Sequence, residues 1–166
     1  MTPRILFATH SAALGGAELY LRDVATQLRD HCAVVLFEEG PLAKQLREHG
    51  VTTHVLSSAD SLHAVRKKSG LTASLRALPG LAALVHDLSR LVADYDLLYT
   101  NSQKALIAGV PAAGYAGRPH VWNLHDLLTA DHFSAVTRRA AVSGANLGAR
   151  LVVCNSAATE RAFQDC

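Results

Sequence analysis

Short runs of this chain are apolar at successive positions, and segments of helical periodicity separate them. The runs are Ile5–Ala8 (ILFA), Ala33–Phe37 (AVVLF), Leu97–Tyr99 (LLY), Val121–Leu124 (VWNL) and Leu151–Cys154 (LVVC), with a further short strand at Thr53–Leu56. A strand with one wet face alternates apolar and polar residues. These runs do not alternate, so both of their faces need cover. Helices that connect such strands supply cover on both sides and make the strands parallel. The expected fold class is therefore α/β: a doubly wound, mostly parallel sheet of the Rossmann-like kind. The 166 residues are enough for one domain with a core.

The first helical pattern carries Ala17, Tyr20 or Leu21, Val24 and Leu28 on one face, at steps of three and four. Pro41 opens the second helix at the first helical position. Leu42 and Leu46 face inward, and Gly50 ends it. Leu71–Val92 reads as a long helix through Leu75, Leu78, Val85, Leu88 and Val92, with Pro79-Gly80 expected to bend or interrupt it. Lys104–Tyr115 is helical, with a kink or early end expected at Pro111. Ser134–Leu147 and Ala157–Gln164 complete the set, the last capped by Asn155-Ser156. Ser57–Gly70 is polar, contains Arg66-Lys67-Lys68 and is expected to be a mobile loop.

Open parallel sheets bind ligands beyond the carboxyl ends of their strands. Polar residues gather there: His10 and Gly15-Gly16 after the first strand, Asn101-Ser102 after the fourth, His125-Asp126 after the fifth, Asn155-Ser156 after the sixth. The turn after the first strand, Thr9–Glu18, reads THSAALGGAE. Glycine there permits positive φ and the close approach of a ligand. The helix behind it opens with unpaired N–H groups and the positive end of its dipole, which suits a phosphate or a sugar hydroxyl. Glu18 in the first turn also suits the dipole whatever the function.

Several chemistries fail on spacing. A nicotinamide site needs G-x-G-x-x-G after the first strand and an acid after the second. Glu38 and Glu39 stand where that acid belongs, but the glycines are an adjacent pair with no third. There is no P-loop Gly-Lys-Ser/Thr and no G-x-S-x-G elbow. His120, His125, Asp126, Asp131 and His132 lie close in sequence without forming a HExxH or Cys/His ligand set, so no metal is expected. A net charge of +2 is too small to indicate nucleic acid. Arg66-Lys67-Lys68 reads as a solvated face, with weak contact to an anionic membrane as the alternative. Cys32, Cys154 and Cys166 are odd in number and widely spaced, which points to free thiols in a reducing compartment. The N-terminus begins with a strand, so a signal peptide is not expected.

Five segments carry a further pattern: GGAE at Gly15–Glu18, EEGPLAKQLREHGV at Glu38–Val51, YTNSQKA at Tyr99–Ala105, WNLHDL at Trp122–Leu127 and VVCNSAATERAF at Val152–Phe163. In this order they resemble the N-terminal domain of a family-4 retaining glycosyltransferase of the GT-B architecture, over nearly the whole chain. The resemblance implies a cytoplasmic two-domain enzyme with its active site in the interdomain cleft, with the inner face of the membrane as the alternative location. It makes this chain the acceptor-side half. A C-terminal half with a basic pair and an E-x7-E motif would bind the nucleotide-sugar donor. Without that half, residues 1–166 alone are expected to be inactive. His125 matches the histidine that bonds the transferred sugar, which makes it the catalytic candidate. Gly15, Gly16, Glu18, His10, Asn101, Ser102, Asp126 and Ser156 are the candidates for the diphosphate and the acceptor. Asp126 would orient His125 or cap the loop, and Asn101, Ser102 and Ser156 would contact ligand or cap helices. No cofactor and no metal are implied. The alternatives are a non-catalytic binding or partner subunit, or a nicotinamide-dinucleotide domain.

Overall fold

A computed structural model describes residues 2–56 and 71–166, with the backbone alone over 71–77. The polar loop expected at Ser57–Gly70 lies outside the described residues. The elements are β1 (Ile5–Thr9), α1 (Gly16–Gln27), β2 (Cys32–Leu36), α2 (Pro41–Glu48), β3 (Thr52–Val55) and α3 (Leu71–Val92). They continue with β4 (Leu97–Thr100), α4 (Gln103–Ala116), β5 (His120–Leu124), α5 (Ala135–Gly148), β6 (Leu151–Cys154) and α6 (Ala157–Gln164). The sheet has the order β3-β2-β1-β4-β5-β6, and every neighbouring pair is parallel. The chain builds outward from β1 to β3, then returns to β4 on the other side of β1. That reversal opens a crevice at the carboxyl ends of β1 and β4.

Alternate strand residues pack on opposite faces, and both faces of the inner strands β1 and β2 are buried, whereas the edge strands β3 and β6 are only half-covered. Leu6, Ala8, Ala33 and Val35 meet Leu84, Leu88 and Val92 of α3 and Ala105 and Ala108 of α4. Phe7, Val34 and Leu36 meet Leu21 and Ala25 of α1 and Leu42 and Leu46 of α2. Toward the β6 edge, Trp122 and Leu124 pack with Leu106, Ala141 and Ala145, and Phe163 of α6 stands edge-on to Trp122 at 6.1 Å. This two-sided burial is the physical reason for the consecutive apolar positions.

The helix ends follow local chemistry. Gly50 has φ of 75°, its N–H bonds to the carbonyl of Arg47, and Val51 N–H bonds to that of Leu46. Gly117, with φ of 64°, ends α4 in the same manner, with Arg118 N–H on the Ala113 carbonyl. The two prolines do not end their helices. Pro79 lies inside an unbroken α3, and Pro111 lies inside α4, which continues to Ala116. An interior proline costs about 3 kcal/mol. Each fully buried leucine or valine returns roughly 1.5–3 kcal/mol, and α3 buries Leu84, Leu88 and Val92 beyond its proline. No helix among the described residues is long and apolar enough to cross a membrane.

Candidate functional site

The loop after β1 does not use its glycines as the sequence suggests. Gly15, the N-cap of α1, is extended (φ −102°, ψ 178°), and among the described residues only Gly50 and Gly117 have positive φ. The positive φ that glycine permits is therefore not used at Gly15 or Gly16. The loop is shaped instead by Glu38, whose Oε1 accepts the Ala12 N–H at 3.0 Å, and by Ala12, whose carbonyl accepts the Leu42 N–H at 2.9 Å. What glycine supplies at position 16 is room: a Cβ built there would meet nothing within 4 Å. The first N–H bonded back into α1 is that of Leu19, on the Gly15 carbonyl, and no side chain caps the helix. The amides of the first turn thus stand at an open face.

That face borders a cavity of about 750 Å³ lined by Gly16, Ala17, Tyr20, Asn123, His125, Asp126, Val153, Cys154 and Asn155. It lies at the carboxyl ends of β5 and β6, against the start of α1. Gly16 and His125, read from the sequence as meeting over one cleft, share it.

His125 is half-buried, and three side chains define its place. Its Nε2 lies 2.9 Å from Asn101 Oδ1 and 2.8 Å from Asn123 Nδ2, and those two amide atoms are 3.0 Å apart. Asn101 Nδ2 donates to the carbonyl of Ala17 at 3.0 Å, which ties the end of β4 to the first turn of α1. Tyr20 stands edge-on to the imidazole at 5.4 Å. Burial holds the His125 pKa below its ordinary value, and the charge of Asp126 partly opposes this. The ring therefore favours the neutral form.

The other sequence candidates are scattered. Ser102 caps α4, its Oγ accepting the Ala105 N–H at 3.2 Å. Ser156 caps α6, accepting the Thr159 N–H at 3.1 Å. Neither lines the cavity. Asp126 is exposed on its wall and acts on the imidazole through its charge. Glu18 turns toward Gly15: a Cβ there would lie 2.7 Å from Glu18 Oε2. His10 is half-buried at the end of β1, outside the cavity lining. Glu39 is paired with Arg47 through two bonds of 2.6 and 3.2 Å. With Glu38 folded into the first loop, both acids of the nicotinamide alternative are engaged within the protein.

Asn123 and Tyr20 were not singled out as site residues by the sequence. Asn123 sits within an apolar strand and Tyr20 on an apolar helix face, so both read as core. The available signal was the amide itself, since a buried polar side chain inside such a strand needs a partner. His120 also departs from its sequence neighbours. It is 1% exposed within β5, bonded through Nε2 to Thr100 Oγ1 at 2.8 Å, and burial pushes its pKa down to about 4. It belongs to the core, not to the cavity.

Among curated proteins no relative matches the sequence. Solved structures do. The chain superposes on Anabaena HepE in complex with UDP-glucose with a TM-score of 0.83 and 37% identity, covering 98% of this chain and 40% of that one. The complex of HepE with UDP and glucose gives 0.80 and 38%, covering 98% and 41%. The apo form of WaaB, a lipopolysaccharide outer core galactosyltransferase, shares the fold at a TM-score of 0.63 and 12% identity, covering 97% and 41%. The chain thus spans about two fifths of the length of these relatives and has the form of the N-terminal half of a GT-B enzyme. The sequence matches the family described as Glycosyltransferase Family 4 over residues 14–166, and the chain belongs to that family.

Proposed function

We propose that this chain is the acceptor-side half of a retaining glycosyltransferase that moves a sugar from a nucleotide donor to an acceptor hydroxyl. The observation that carries this reading is the shared cavity: the open amides of α1 at Gly16 and the neutral imidazole of His125 face one space of about 750 Å³. HepE, 37% identical, is bound to UDP-glucose, which favours a UDP-sugar as donor.

Glycosyl transfer develops positive charge on the sugar ring and negative charge on the departing diphosphate. Amides and a helix dipole already aimed at the diphosphate stabilise the second charge without reorganisation. His125 takes a hydroxyl of the transferred sugar near the reacting carbon, and being neutral it adds no charge beside the ring's developing cation. No metal enters this step, because the helix N-terminus serves the diphosphate. A second α/β domain completes the donor pocket. The reading places the enzyme in the cytoplasm, where its three free thiols stay reduced, and any membrane contact is peripheral.

The test is release of UDP from UDP-glucose in the presence of candidate acceptors. The two-domain enzyme is expected to turn over and residues 1–166 alone are not. Turnover by the 166-residue chain would overturn the assignment of a half-site.

A further inference from the structure

The contact between His125, Asn101 and Asn123 has a property that pairwise bonds lack. Three atoms, Asn101 Oδ1, Asn123 Nδ2 and His125 Nε2, are mutually within 2.8–3.0 Å. A hydrogen bond joins a donor to an acceptor. Around a ring of three atoms, none of which does both at once, one edge must join like to like. The triangle therefore forces a choice of imidazole tautomer.

Asn101 cannot turn over to relieve it. Its Nδ2 donates to Ala17, so its oxygen is fixed toward the other two atoms. If Nε2 is bare, Asn123 Nδ2 must serve both neighbours, and Nε2 faces Asn101 Oδ1 lone pair to lone pair at 2.9 Å. The three sides are nearly equal. The two acceptors then lie much closer together, as seen from Nδ2, than the hydrogens of a planar amide are splayed, so only one is well served. If Nε2 carries the proton, the Asn101 carbonyl accepts from both nitrogens, which its broad acceptor geometry permits. The unfavourable edge then lies between two N–H groups whose hydrogens both turn toward the same oxygen.

We propose that Asn101 is a positioning residue that selects the Nε2–H tautomer of His125, so that Nδ1 is the ring nitrogen offered to the ligand, as an acceptor from a hydroxyl. The triangle engages Nε2 alone, and His125 lines the cavity. The ligand-facing part rests on the proposed function, since a sugar hydroxyl is the group that would donate to Nδ1. Through Ala17 the same amide braces the start of α1, so one side chain sets both the imidazole and the helix amides across the cavity.

The test is the ¹⁵N long-range spectrum of the imidazoles, with His125 assigned by its loss in His125→Gln. In the unsubstituted protein Nε2 is expected to resonate as a protonated nitrogen and Nδ1 as a bare one. Asn101→Ala removes the acceptor and leaves Asn123 as a donor, so the ring is expected to move toward Nδ1–H. Asn123→Ala removes the competing donor, so the ring is expected to stay Nε2–H. Should Asn101→Ala fail to fold, Asn101→Asp keeps an acceptor and is expected to keep the proton on Nε2. An Nδ1–H tautomer in the unsubstituted protein overturns the proposal. So does an unchanged tautomer in Asn101→Ala, or loss of Nε2–H in Asn101→Asp. The spectrum requires no substrate. Absence of sugar transfer by the two-domain enzyme would undo the proposed function and leave the tautomer result standing.

Discussion

Asn101 donates through Nδ2 to the main-chain carbonyl of Ala17 at 3.0 Å, across 84 residues of sequence. The bond joins the loop after β4 to the first turn of α1, the two elements that flank the point where the strand order reverses. Asn101 is 2% exposed. Replacing it by alanine leaves the Ala17 carbonyl without its side-chain partner, at about 1–3 kcal/mol. Urea unfolding followed by circular dichroism should show Asn101→Ala less stable by that amount.

His120 makes the fold sensitive to acid. Its folded pKa is depressed to about 4 from 6.5, by burial first, with the nearby Gly148 backbone opposing. As pH falls through 6.5 the unfolded chain takes up a proton that the folded chain refuses until about 4. The contribution is therefore complete above 6.5, declines between 6.5 and 4, and is lost below. It amounts to about 3 kcal/mol. Urea midpoints measured across that window should fall for the natural sequence and change less in His120→Gln.

Two glycines should respond oppositely to the same methyl group. At Gly109 a Cβ would lie 2.7 Å from Thr100 Cγ2 and 3.2 Å from Leu98 Cδ2, inside the packed face of α4. Gly109→Ala is expected to cost about 1–3 kcal/mol by overpacking. At Gly16 the space is open and the residue is helical, so alanine should be tolerated and add about 0.4–1 kcal/mol. Thermal unfolding separates the two. In the proposed two-domain enzyme, Gly16→Leu should retain the fold and lose turnover, because Gly16 lines the cavity.

Ser102 closes the N-terminus of a 14-residue helix that packs between α3 and α5. Ser102→Ala should lower stability by about 1 kcal/mol, and glycine should cost only a few tenths. Denaturant curves of the two variants test whether the hydroxyl acts as a cap.

The imidazole of His125 should be neutral under working conditions, because burial depresses its pKa while the charge of Asp126 raises it. Protonation would place a cation beside the sugar's developing positive charge. The kcat of the proposed two-domain enzyme is thus expected to fall on the acid side, at a pH below the ordinary imidazole value. Removing the opposing charge with Asp126→Asn should move that limb to still lower pH. A limb that shifts upward in this variant would contradict the charge assignment.

Much of the architecture is written locally. Consecutive apolar residues such as Ala33–Leu36 require burial on both faces, and intervening helices require parallel strands. The sequence reading places β6 and α6 at the bounds found in the structure, while β2 and β3 each begin and end one residue earlier than read. Gly50 could be read as a stop because a left-handed residue is a local property. Pro79 and Pro111 could not be judged so, since burial elsewhere along each helix outweighs one missing N–H.

The sequence by itself determined the layers, the helix caps and the rim on which polar residues collect, because periodicity and turn chemistry act over a few residues. Only the tertiary structure decided that β4 returns beside β1 and that Asn123 turns its amide to His125. It also decided that Glu38 serves the first loop, and that Ser102 and Ser156 stand outside the cavity. Those outcomes depend on hydrogen bonds between residues tens of positions apart, such as Asn101 with Ala17 and with His125. A buried polar atom announces that it needs a partner; which partner it finds is settled by the packing of whole elements.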